Sequence, residues 1–136
     1  MEAKLFAWKQ AYSVGKPAID AQHRQLIELI ASLHVGMTEG KGRDVLAAIL
    51  GKLIKYTLDH FTAEEAVMRT AGYPGLEQHR GLHTSLAATV TKLSKDFEAG
   101  RVSVTVETAM FLKQWLNDHI LGADHAFAVW DAARRS

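Results

Sequence analysis

The stretch that decides the fold runs from residue 44 to residue 70 and reads DVLAAILGKLIKYTLDHFTAEEAVMRT. Its inward-facing residues recur in steps of three and four, the period of an amphipathic α-helix. They are Leu46, Ile49, Leu53, Thr57, His60, Glu64 and Val67. The stripe begins with aliphatic side chains and ends with an imidazole and a carboxylate. Because such groups are costly to bury unless they are hydrogen-bonded or bind a metal, the stretch predicts a polar site inside a packed core.

Three further segments have the same period, so we expect four helices, over about 20–37, 44–70, 75–98 and 103–121. Glycines separate the segments, and Pro17 and Pro74 stand at expected helix starts. Short connections favour antiparallel neighbours. The sequence therefore predicts one all-α domain over residues 1–136, an up-down-up-down four-helix bundle. Residues 1–19 are expected to form an arm packed along the bundle, and residues 122–136 a C-terminal segment.

Composition excludes several classes of function. Sixteen Lys and Arg residues balance fifteen Asp and Glu residues, so nothing in the charge points to nucleic acid or to a membrane surface. The chain has no cysteine, which excludes disulfides, thiolate metal sites and iron–sulfur clusters. No apolar run approaches the roughly 20 residues that span a bilayer, and the N-terminus lacks the pattern of a signal peptide. We expect a cytoplasmic protein and, by default, a monomer, although a domain of a longer chain would have the same features.

Seven potential metal ligands come from the four predicted helices and from the segment that follows the fourth. They are His23, His60, Glu64, His79, His83, His119 and Asp124. His60 and Glu64 are spaced i, i+4, as are His79 and His83, so each pair shares a helix face. His119 and Asp124 are five residues apart, which on a continuous α-helix separates them by about 140°. We expect Gly122 to let the chain bend, so that Asp124 returns to the side of His119.

The number and chemistry of these ligands constrain the metal. Zinc takes about four ligands, and magnesium and calcium prefer oxygen. Imidazole combined with carboxylate suits iron, among other transition metals. Two six-coordinate ions bridged by both carboxylates and by one solvent-derived oxygen would leave a single position open. A small molecule could bind at that position.

The chain resembles the hemerythrin family, and most of all its bacterial members. The resemblance covers nearly the whole length. It is carried in order by Ile19-Asp20-Ala21-Gln22-His23, by His60-Phe61-Thr62-Ala63-Glu64-Glu65, by His79 with His83, by Trp115-Leu116-Asn117-Asp118-His119-Ile120, and by Asp124. Hemerythrins are four-helix bundles that bind dioxygen at two iron ions. The resemblance therefore implies reversible dioxygen binding, as an oxygen carrier, store or sensor module.

The same resemblance implies a role for each ligand. His79, His83 and His119 would hold a six-coordinate iron, and His23 and His60 the iron with the vacancy. Glu64 and Asp124 would bridge the two ions, which cycle between Fe²⁺ and Fe³⁺ and share an oxo or hydroxo bridge. Dioxygen would bind end-on as hydroperoxide at the vacant position, and Trp115 and Leu116 would line its pocket.

Two alternative functions remain open. The first is a di-iron enzyme that reduces dioxygen, peroxide or nitric oxide, and the second is an iron- or oxygen-sensing signalling module. Five neutral imidazoles should favour release of dioxygen over cleavage of its O–O bond, so we do not expect an enzyme. Three other polar residues are predicted to lie outside the metal site. We expect Glu65 to be solvated, His34 to be a surface or packing residue, and His125 to point away.

Overall fold

Five α-helices and one π-helical turn make up most of the chain in a computed structural model, which describes residues 6–100 and 106–135. Helix α1 spans Pro17–Thr38, α2 Arg43–Ala71, α3 Leu76–Glu98 and α4 Val106–His119. The π-helical turn, Ile120–Asp124, leads directly into α5, His125–Arg135. A short 3-10 turn, Gln10–Tyr12, precedes α1.

Helices α1 to α4 form the predicted antiparallel four-helix bundle, and the all-α fold class is confirmed. Each helix buries one apolar stripe against its neighbours, and the stripes meet in a single core that includes Ile27, Leu33, Leu50, Leu86 and Leu112. No strand occurs among the residues that the structure describes. Within the same residues, no helix is both long enough and apolar enough to cross a bilayer.

Helix α1 begins at Pro17, three residues before the predicted start at residue 20. Proline suits the first position of a helix because its φ is already helical and its missing N–H would have no partner there. Asp20 therefore lies inside the first turn, where it accepts hydrogen bonds from the Ser13 hydroxyl and the Val14 backbone N–H. These bonds fix the angle at which the arm enters the helix.

The arm before α1 packs along the bundle as predicted, in the part that the structure describes. Phe6 and Tyr12 are buried in the core, with their rings in edge-on contact. The Tyr12 hydroxyl donates a 2.7 Å hydrogen bond to Asn117 Oδ1 on α4. Residues 1–5 of the predicted arm lie outside the described residues.

The fourth helix does not end at residue 121, because the chain continues in helical form through the π-helical turn into α5. The predicted start at residue 103 lies outside the described residues. Helix α5 buries Phe127 and Asp131. Asp131 is paired with Lys16 at 3.1 Å, with Arg134 at 2.8 Å and with Arg135 at 3.3 Å. Lys16 directly precedes α1, so this cluster fastens the C-terminal helix to the start of the bundle.

Replacing Gly51, inside α2, or Gly72, which directly follows α2, by alanine should change the stability of the protein in opposite directions. Gly72 ends the helix at a φ of +76°, a left-handed conformation that costs other residues about 1–2 kcal/mol. Gly51 lies inside the helix, where alanine is favoured by about 0.5–1 kcal/mol. An added Cβ meets no atom within 4 Å at either position. Urea unfolding should therefore show Gly72→Ala destabilised and Gly51→Ala stabilised, and shifts of the same sign would contradict this interpretation of the two backbone conformations.

Candidate metal centre

The structure brings all seven predicted ligands together in one buried layer near one end of the bundle. None of the seven is more than 6% exposed. They form two groups whose candidate ligand atoms lie within 4.8 Å of one another. One group contains His79, His83 and His119, the other contains His23 and His60, and both contain Glu64 and Asp124. The helical spacing in the sequence thus leads to two adjacent clusters that share their carboxylates.

Each carboxylate presents one oxygen to each group of histidines. Glu64 Oε2 lies 3.4 Å from His23 Nε2 and 3.2 Å from His60 Nε2. Its other oxygen, Oε1, lies 2.7 Å from His79 Nε2 and 3.2 Å from His83 Nε2.

Asp124 divides its oxygens in the same way. Its Oδ2 lies 3.1 Å from His23 Nε2, and its Oδ1 lies 3.0 Å from His79 Nε2 and 3.1 Å from His119 Nε2. A carboxylate with one oxygen on each side is arranged to bridge two cations.

Several ligand atoms in this layer are buried without a hydrogen-bond partner. They are both ring nitrogens of His23, His60 Nε2, Glu64 Oε2 and both carboxylate oxygens of Asp124. Unsatisfied buried polar groups are rare because each costs about 1–3 kcal/mol. Cations held between the imidazoles and the carboxylates would satisfy all of these atoms except His23 Nδ1, so the donor set fits metal ions.

The π-helical turn, which contains Gly122, is what places Asp124 beside His119, so Asp124 returns to the ligand layer as predicted. The backbone N–H of His125 donates to the carbonyl of Ile120, five residues earlier, and the dihedral angles at both ends of the turn are helical. Residues five apart stack on one face when hydrogen bonds run from i to i+5. The wider turn therefore solves the five-residue spacing without interrupting the helix.

Comparisons with known proteins agree with this geometry. A family model described as the hemerythrin HHE cation binding domain matches residues 15–130. The chain belongs to the hemerythrin family.

Relatives in this family match most of the chain. A bacteriohemerythrin of Stenotrophomonas maltophilia (strain R551-3) is 34% identical over 124 residues, which cover 91% of this chain and 80% of that protein. A myohemerythrin of Riftia pachyptila is 30% identical over 122 residues, 90% of each chain. A solved structure of wild-type hemerythrin is 30% identical, with a TM-score of 0.87, and the match covers 91% of this chain and 95% of that one.

The clustered charges of the site change the protonation of its histidines when no metal is bound. Burial alone would lower the pKa of His23, but the close approach of the Asp124 and Glu64 carboxylates to its Nε2 outweighs burial and raises the pKa to about 9. The same balance raises the pKa of His119 to about 9 and that of His79 to about 8. Burial dominates at His60 and lowers its pKa. Their raised pKa values favour protonated His23, His79 and His119 at neutral pH when no metal is present.

The carboxylates stay ionised in the same state. Burial alone would raise the pKa of Glu64, but the imidazoles around it hold that pKa well below its usual range. Burial and the charge of Glu64 both act to raise the pKa of Asp124, yet its contacts with His119, His23 and His79 lower it. Both carboxylates are therefore available as anionic ligands.

The hemerythrin site includes two outer residues whose roles the sequence analysis missed. Glu65 was expected to be solvated, but its Oε2 accepts a 2.8 Å hydrogen bond from His83 Nδ1. Gln22 Oε1 similarly lies 2.7 Å from His60 Nδ1. Each partner belongs to a neighbouring helix, so helical spacing gives no signal for the contact. As predicted, His34 and His125 lie outside the two ligand groups.

A small apolar cavity of about 20 Å³ adjoins the ligand layer. Four of its lining residues are each three positions from a ligand on the same helix, and they are Leu26, Thr57, Leu86 and Leu116. Phe61 and Trp115 also line the cavity. Phe61 stacks on the His83 ring at 3.8 Å, and Trp115 stacks on the His119 ring at 4.5 Å. The cavity lining therefore includes two rings that stack directly on imidazoles of the ligand layer.

Proposed function

We propose that the chain binds dioxygen reversibly at a pair of iron ions held by the two histidine groups. The arrangement of the carboxylates carries the proposal, because Glu64 and Asp124 each present one oxygen to each group. Five imidazoles with two carboxylates form a donor set suited to iron. Membership in the hemerythrin family supports iron as the metal and dioxygen as the molecule that binds to it.

The two proposed metal positions differ in the number of protein ligands. His79, His83 and His119 with both carboxylates supply five donors to one ion, whereas His23 and His60 with both carboxylates supply four to the other. The second position is therefore the one where we expect an external molecule to bind. When bound, two ferrous ions would supply the electrons that dioxygen takes up and returns on release.

The residues around the cavity favour carriage over reduction of oxygen. Its lining is almost entirely aliphatic and aromatic, which suits a neutral diatomic molecule and excludes water. The Thr57 hydroxyl, which belongs to the lining, donates to the Leu53 carbonyl at 2.7 Å. Trp115 and Leu116 would form the pocket wall, as the resemblance implied. A wall without acidic groups supplies no protons for reduction, so we propose a carrier, store or sensor module and not an enzyme.

Anaerobic loading with ferrous iron, followed by air and then by vacuum, tests the proposal. The wild-type protein should bind two iron ions per chain and show a visible absorption change that air produces and vacuum reverses. His60→Ala, which removes a ligand of the four-donor position, should lose the reversible change. His125→Ala is the matched control, because His125 is exposed and belongs to neither group.

Failure of vacuum to restore the starting spectrum would disprove reversible carriage. Sustained oxygen consumption with an added electron donor, abolished in His60→Ala, would instead favour the enzyme alternative. The cytoplasmic location, the monomeric state and the single-domain organisation expected from the sequence stay predictions.

A further inference from the structure

Two candidate ligands of different metal positions have outer ring nitrogens that face chemically different partners. His83 Nδ1 donates to the carboxylate of Glu65 at 2.8 Å, whereas His60 Nδ1 faces the amide oxygen of Gln22 at 2.7 Å. In both imidazoles the opposite ring nitrogen, Nε2, is directed at the Glu64 carboxylate. The two imidazoles therefore have the same orientation toward the centre but differ in the charge behind them.

Both partners are fixed by the helices that carry the ligands. Gln22 directly precedes His23 on α1 and reaches His60 on α2, while Glu65 directly follows Glu64 on α2 and reaches His83 on α3. The second oxygen of Glu65 lies 3.3 Å from Arg80 Nε, and the glutamate is only 19% exposed. Arg80 thus holds the carboxylate against His83.

We propose that Glu65 and Gln22 are positioning residues that make the two metal positions unequal in affinity. A carboxylate on the outer N–H makes the opposite ring nitrogen a stronger donor to a metal. A neutral amide fixes the same ring tautomer without the charge. Glu65 thereby adds to the tighter binding that five donors already favour at the three-histidine position over the four donors of the two-histidine position. This inference rests on the proposed pair of metal positions.

Reciprocal exchange of the two side chains tests the inference. Anaerobic titration with ferrous iron against a competing chelator should resolve two equivalents of iron per chain in the wild-type protein, one bound more tightly than the other. Glu65→Gln should weaken the tighter equivalent about tenfold and leave the other nearly unchanged. Gln22→Glu should strengthen the weaker one, and the double exchange should narrow the difference between the two affinities.

Glu77→Gln is the matched control for the loss of charge. Glu77 pairs with the same arginine, Arg80, at 2.9 Å but is exposed and has no contact with a ligand in the described structure. Its substitution should leave both iron affinities unchanged. An equal effect from Glu77→Gln and Glu65→Gln, or an equal effect of Glu65→Gln on both equivalents, would overturn the assignment.

Imidazole nitrogen NMR on the metal-free protein provides a test that does not depend on iron. His83 should carry its proton on Nδ1 in the wild-type protein and in Glu65→Gln, because a glutamine oxygen can still accept it. Glu65→Leu should lose that preference, and an unchanged Nδ1 signal in this variant would overturn the role of Glu65. If the wild-type protein fails to bind two ferrous ions, the proposed function fails, and the NMR result still decides whether Glu65 positions His83.

Discussion

Glu64→Gln should lose both iron ions. The Glu64 carboxylate lies within 3.4 Å of four imidazoles, two on each side of the layer, and these belong to His23, His60, His79 and His83. Glutamine keeps the shape but offers one oxygen and no charge. Changes to outer residues typically cost 10–100-fold in metal affinity, so loss of a bridging ligand should cost more than about 100-fold. Iron analysis of the purified variant measures the loss of iron, and circular dichroism verifies its helix content.

Glu77→Gln again provides the control, because it removes a carboxylate from an exposed position of α3. It should retain the wild-type iron content. A Glu64→Gln protein that keeps two iron ions while remaining helical would show that the carboxylate does not bridge. Loss of helix content in the metal-free variant would be a separate effect, because removing one partner of a buried ionic cluster costs about 3–5 kcal/mol.

The period of the apolar residues was enough to predict the bundle and to bring the ligands into one layer. Steps of three and four place His60 with Glu64 and His79 with His83 regardless of context, since a regular helix fixes those directions. Once short connections make neighbouring helices antiparallel, polar positions at matching heights must meet. Spacing within each helix therefore paired His60 with Glu64 and His79 with His83, whereas Asp124 needed a local change in the helix after His119.

Features that depend on tertiary contacts were not predictable in this way. A π-helical turn has no sequence signature at Ile120–Asp124, and only the need to return Asp124 to the ligand layer shows why it occurs. The contact of Glu65 with His83 pairs residues 18 apart on different helices. In helix α5, Asp131 pairs with Lys16, which is near the other end of the chain. Spacing within one segment cannot reveal partners in another.

The metal-free protein should lose stability as the pH rises from about 6.5 to 9. His23, His79 and His119 have pKa values raised to about 9, 8 and 9, above the ordinary value of 6.5. Between these limits the folded state binds more protons than the unfolded state, so the free energy of unfolding falls as the pH increases. A tenfold difference in proton affinity between the folded and unfolded states corresponds to about 1.4 kcal/mol. The three histidines should therefore give the metal-free protein a stability that decreases with pH across this window.

Iron-loaded protein should show the opposite trend, because metal ions and protons compete for the same nitrogens and binding releases the protons. Anaerobic urea unfolding at pH 6.5 and pH 9, with and without iron, should therefore give a stability gap that widens with pH. His23→Gln should flatten the slope of the metal-free protein, whereas His125→Ala, which changes an exposed histidine outside the cluster, should preserve it. Equal stability of the metal-free wild-type protein at both pH values would mean that its imidazoles are not held as cations by Glu64 and Asp124.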